Sequence, residues 1–177
     1  QAAHARFCDW NLMLLSVENL RVVYRKKGQA PVDAVRGVSL SVAAGASFGI
    51  VGESGCGKSS LARTVIGLQK PAGGRIIFEG ADTARMTAAE FRRYRRSVQM
   101  VFQDAVGSLN PRMTVRQTLE EVLRVHRMAA GAGIQARAGE LLDLVGLPHS
   151  LLGAYPREIS GGQCQRVSVA RCLALEP

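Results

Sequence analysis

The first half of the chain carries the short apolar period of strands. Over residues 14–24, Val17, Leu20, Val22 and Tyr24 predict one strand, and residues 25–29 form a polar turn. Val38, Leu40 and Val42 then alternate with Ser39 and Ser41, predicting a second strand over residues 35–42. Gly45 punctuates before a short apolar run at residues 47–51 that reads as a buried strand, and residues 60–66 read as a helix. Gly67 is a natural cap for that helix, residues 71–74 are a turn, and residues 75–79 are strand-like. Thr87 followed by Glu90 has capping-box spacing and opens an arginine-rich helix. Residues 98–102 are a five-residue apolar run with buried-strand character, delivering Gln103 to a strand end where ligands gather in open α/β sheets.

Beyond Gln103 the period lengthens. Thr114 and Gln117 form a second capping box, and Val115, Leu119, Val122, Leu123 and His126 fall on one face of the helix they open. An Ala/Gly stretch at residues 129–133 separates it from a helix lined by Ala138, Leu141, Leu142 and Val145, which Gly146 and Pro148 stop. The expected organisation is an irregular leader over residues 1–13 and one partial α/β domain over 14–177. Within that domain, 14–103 hold the β portion and the α/β core, 104–158 a helical subdomain, and 159–177 a final helix.

Composition narrows the partners. The 177 residues carry a net charge of +9, which favours anionic partners. The densest basic run, Arg92, Arg93, Arg95 and Arg96 around Tyr94, reads as a solvated helix face; it lacks the interleaved aromatics of a nucleic-acid platform, so no nucleic-acid partner is expected. The four cysteines, Cys8, Cys56, Cys164 and Cys172, show neither metal-ligand spacing nor a disulfide framework. His4, His126 and His149 are scattered singly. No run is long and apolar enough to span a membrane.

The chemistry concentrates in Gly52-Glu53-Ser54-Gly55-Cys56-Gly57-Lys58-Ser59, followed by Ser60. It fits G-x-x-x-x-G-K-[ST] at every fixed position and lies between an apolar run and a helix. The glycines let the backbone turn its N–H groups toward an anion, and the helix start adds positive charge. Lys58 reaches the β- and γ-phosphates in such loops, and Ser59 holds Mg²⁺. This is a nucleoside-triphosphate site. A second segment, Ser160-Gly161-Gly162-Gln163, is a capping box with two glycines in its first turn. That costs helix stability and leaves bare N–H groups open to close approach.

Together these segments resemble the ATP-binding cassette (ABC) ATPases, from about residue 14 onward. Ser160 to Gln163 resemble that family's signature motif, Gln103 its Q-loop, and Tyr24 its adenine-stacking aromatic. The phosphate loop and the segment from Phe102 through Ser108, Leu109, Asn110, Pro111 and Arg112 to Val115 are similar to the ATPases of oligopeptide, dipeptide and nickel importers. The resemblance implies an α/β P-loop fold with an N-terminal antiparallel β portion and a helical insert. It implies ATP and Mg²⁺ as cofactors, with Ser59 and Gln103 at the metal and Lys58 and Gln103 in catalysis. The implied partners are a second ATPase subunit, identical or not, membrane permeases and, through them, an extracytoplasmic solute-binding protein, at the cytoplasmic face of the membrane. A soluble ABC ATPase outside transport and an inactive ATP-binding fragment are the alternatives. Cys164 stands where most of the family carries Arg, and Cys172 where Ala is usual. The family's second Mg-binding aspartate, catalytic glutamate and switch histidine have no counterpart in these residues, so the core sheet is expected to be incomplete and the 177-residue chain alone inactive.

Overall fold

The structure is a computed structural model that describes residues 13–177; the leader expected over 1–13, with His4 and Cys8, lies almost wholly outside the described residues. The described residues divide into two compact units, residues 13–95 and 96–177.

The first unit is built on a four-stranded antiparallel sheet in the order β2-β1-β3-β4, with β1 at Met13–Tyr24, β2 at Val32–Ala43, β3 at Gly73–Phe78 and β4 at Ala81–Asp82. Val17 lies opposite Leu40 on one side and Ile76 on the other, and Val22 lies opposite Val35. Strict alternation from Val17 would send Leu20 to the opposite face. The pairing instead shifts register between Val17 and Leu20, where Asn19 takes a left-handed φ of 46°. That irregularity returns Leu20 and Val22 to the buried side. Val17, Leu20, Val22, Val35 and Ile76 then form a core with Leu61 of helix α1, Lys58–Val65. α1 ends at Gly67, whose φ of 73° only a glycine adopts freely.

Helix α2, Ala88–Ser97, opens on the expected Thr87–Glu90 reciprocal bonds. Its arginines hide an apolar edge: Tyr94 is buried, its ring edge-on to Phe78 at 5.2 Å and tilted against Phe91, and its hydroxyl donates to the Val65 carbonyl.

Two expected strands are corrected. Residues 47–51 and 98–102 are irregular rather than extended ladders. A strand is held by its neighbours' hydrogen bonds, and neither run pairs with any described strand. Phe48, Ile50 and Val51 are accordingly 51%, 47% and 96% exposed.

The second unit is helical: α3 at Ala105–Ser108, α4 at Val115–Val125, α5 at Gly133–Leu144 and α6 at Gly161–Leu173. Leu119 and Leu123 of α4 pack with Leu141 and Leu142 of α5 and Val167 of α6, all fully buried. The Thr114–Gln117 capping box is present, and Gly146 ends the second long helix at φ 64°. His126, expected on the apolar face, caps the end of α4 and is exposed. Among the described residues no helix is long and apolar enough to cross a membrane.

Candidate functional site

The phosphate loop runs from Gly52 into the first turn of α1. Gly55 and Gly57 both take left-handed backbone, at φ 84° and 99°. Gly57 is the N-cap of α1, so no side chain satisfies the N–H groups of the first turn. Those groups are orphans in any helix and carry its positive end. Gly57 also lies directly against β2: a Cβ there would collide with the Ala34 carbonyl oxygen. No local pattern marks Ala34 as part of this site, because the contact joins backbones far apart in the chain.

Lys58 folds back over the loop. Its Nζ donates to the Gly52 and Glu53 carbonyl oxygens at 2.7 Å each and lies 3.5 Å from Cys56 Sγ. An ammonium has three protons, and here they are directed at the Gly52 and Glu53 carbonyls and the Cys56 sulfur, which pins the cation at the mouth of the loop. The Cys56 N–H bonds the Glu53 carbonyl, closing the turn, and the Cys56 thiol is exposed. Ser54 and Ser59 are exposed as well, and Ser60 is half-buried. A cavity of about 690 Å³ adjoins the loop, bounded by Ala34 and Arg36 of β2, by Phe48 and Ile50, and by Gly57 and Lys58.

The structure brings Tyr24 to this loop. It is the last residue of β1, 36% exposed, and its hydroxyl donates to Ser60 Oγ at 3.3 Å. Thr64, one turn on and buried, donates from Oγ1 to the Ser60 carbonyl oxygen at 2.8 Å. Tyr24, residues 52–60 and their supports thus share one unit. The chemistry of that set suits a nucleoside triphosphate: an aromatic face, uncapped N–H groups, a cation and two hydroxyls. Among the described residues no three His, Cys, Asp or Glu side chains cluster as a metal site. A magnesium ion here would be one carried by phosphate oxygens with few protein ligands.

The remaining candidates lie in the second unit. Gln103 is exposed, next to Asp104, which caps α3 by accepting from the Gly107 N–H at 2.8 Å. Ser160 caps α6: its hydroxyl accepts from the Gln163 N–H, and Gln163 Oε1 accepts from the Ser160 N–H at 2.8 Å. Gly161 and Gly162 are exposed, and a Cβ on either would meet nothing within 4 Å. The two unusual cysteines are accommodated. Cys164 is fully buried with its thiol on the Pro156 carbonyl, and Cys172 is buried with its thiol on the Met100 carbonyl. Burial pushes both thiols above their ordinary pKa.

The chain is similar to known proteins. The family model described as ABC transporter matches residues 35–177. The chain is 47% identical over 154 residues to an oligopeptide transport ATP-binding protein, AppF, of Bacillus subtilis, covering 86% of this chain and 46% of that protein. It is 43% identical over 174 residues to the oligopeptide transport ATP-binding protein OppF of Salmonella typhimurium, covering 93% and 52%. The chain therefore spans about half the length of these curated relatives. Among solved structures, the dimeric ATP-binding cassette MJ0796, in a post-hydrolysis state bound to ADP and Pi, superposes with a TM-score of 0.80. The two are 30% identical, over 92% of this chain and 70% of that one. By its sequence match and its fold, the chain belongs to the ABC transporter family.

Proposed function

We propose that this chain is the nucleotide-binding part of an ATPase subunit that drives import of peptides. The observation that carries the reading is the phosphate loop itself: uncapped N–H groups at α1, left-handed Gly55 and Gly57, and Lys58 poised over them. The peptide cargo rests on the relatives, whose names are those of oligopeptide transport ATP-binding proteins.

In this reading the N–H groups of residues 52–60 and the Lys58 ammonium hold the phosphates, and Tyr24 offers its ring to the base. The Ser59 hydroxyl and Gln103 are the side chains that would hold Mg²⁺. Bound Mg²⁺ supplies neutralisation of phosphate charge. Ser160, Gly161, Gly162 and Gln163 of a second subunit close over the γ-phosphate; the dimeric cassettes among the structural neighbours support such a pairing. Phosphoryl transfer needs positioning and electrostatics more than covalent help, so a site assembled from loop amides and one lysine suffices for the binding half of the task. Hydrolysis, coupling to permeases and a solute-binding protein, and a peripheral place at the cytoplasmic membrane face belong to the whole protein.

Calorimetry with MgATP tests the reading. Lys58→Ala should weaken binding at least about tenfold, since a charge-assisted contact contributes about 1.5–3 kcal/mol. Equal binding by the variant and the parent sinks it.

A further inference from the structure

Ser60 is held from two directions. Thr64 Oγ1 donates to its carbonyl oxygen at 2.8 Å, and the Tyr24 hydroxyl donates to its Oγ at 3.3 Å. The first bond fixes the backbone of the α1 first turn from a buried side chain. The second reaches across from the end of β1, thirty-six residues earlier in the chain.

The direction of that second bond has a chemical consequence. A serine hydroxyl has one proton and two acceptor sites. With a phenol proton seated on one lone pair, the Ser60 proton stays free to donate outward, and hydrogen bonds in series polarise one another. Without the phenol, a serine in a first turn is free to rotate back onto a carbonyl of its own backbone, a competition that serines within helices show generally. We propose that Tyr24 and Ser60 act as a coupled positioning pair, in which the Tyr24 hydroxyl aims the Ser60 hydroxyl at the bound phosphates. The base-facing end of β1 and the phosphate-facing start of α1 then respond to nucleotide as one unit. This rests on the reading of residues 52–60 as a nucleotide site. It goes beyond that reading by giving Tyr24 a task carried by its hydroxyl rather than its ring.

The pair is tested by a double-variant cycle on MgATP affinity, measured by calorimetry on the full chain. Tyr24→Phe keeps the ring and Ser60→Ala keeps the backbone. Each should weaken binding about fivefold, the scale of one hydrogen bond. The double variant should be no weaker than either single one, because each removes the same unit. Ser60→Thr, which restores a hydroxyl, should recover the parent affinity and its sensitivity to Tyr24→Phe. A purely structural role is separated by thermal unfolding without nucleotide. Tyr24→Phe should leave the midpoint where it was, and a fall matching the affinity loss overturns the pair. Losses that multiply to about twenty-five-fold, or no loss in Tyr24→Phe, also overturn it. Lys58→Ala runs alongside. If that variant loses ATP while the cycle is additive, the nucleotide site stands and the pair does not.

Discussion

Gly57 and Ala34 touch backbone to backbone: the α-carbon of the phosphate-loop glycine leaves no room for a side chain beside the Ala34 carbonyl oxygen. Gly57 also sits at φ 99°, outside the range of L-residues. Strain and collision therefore coincide at one residue. Gly57→Ala should lower stability by about 2 kcal/mol or more, since left-handed backbone alone costs of order 1–3 kcal/mol in a residue with a Cβ. Chemical denaturation gives the number. Gly55→Ala is the comparison, because φ is 84° there but a Cβ meets nothing within 4 Å. If both variants lose the same stability, the contact with β2 contributes nothing.

Cys56 differs from the other described cysteines in exposure. Its thiol is open beside Lys58, whereas Cys164 and Cys172 are buried and their thiols are pushed up in pKa by that burial. Thiolate is the reacting form, so a maleimide should label Cys56 well ahead of the buried pair. Peptide mapping separates the Cys56 peptide from that of Cys8. Saturating MgATP should slow Cys56 labelling, because phosphate seated in the loop covers it. Labelling that ATP leaves untouched counts against a loop wrapped on phosphate.

Tyr94 sets an alkaline limit on the first unit. Burial pushes its phenol up to about 12, and its proton is given to the Val65 carbonyl. An unfolded tyrosine titrates near 10. The folded state resists losing this proton, so the Tyr94 contribution is complete below about pH 10. It falls as pH rises from there through about 12. Stability measured against pH should bend downward in that window. Tyr94→Phe should flatten that bend while losing about 1 kcal/mol at neutral pH, the net worth of one hydrogen bond. An unchanged bend in Tyr94→Phe assigns the effect to another group.

What the sequence made legible is local. Thr114 with Gln117 and Ser160 with Gln163 are pairs three residues apart whose bonds form within one helical turn, and both appear where the spacing puts them. The glycine loop is legible for the same reason. Residues 47–51 and 98–102 looked like strands because their side chains are apolar, but a strand is defined by a neighbour that the run itself does not encode. Tyr94 was hidden among four arginines that suggested a solvated face, although Phe91 three residues earlier completes its apolar edge. The register shift at Asn19 and the bond from Tyr24 to Ser60 join segments that only the folded sheet brings together.

The start of α6 separates what the fold needs from what the proposed function needs. Gly161 and Gly162 occupy the first turn behind the Ser160 cap, both exposed, neither at positive φ, and neither facing an atom that a Cβ would meet within 4 Å. Nothing in this chain's own packing asks for glycine there. Alanine is the better helix former by up to about 1 kcal/mol in a helix interior, and by less in a first turn. Gly162→Ala should therefore leave thermal stability unchanged or raise it by about 1–2 °C, on the scale for a chain of this size. In the proposed dimer the bare backbone of this turn approaches the γ-phosphate held by the other subunit, where an added methyl stands in the way. The same variant, placed in the whole transporter, should lose ATP-driven turnover by an order of magnitude or more while nucleotide affinity at its own phosphate loop stays as it was. A stabilised variant with full turnover removes the case for a signature segment at residues 160–163. A destabilised one shows that the glycines serve the helix instead.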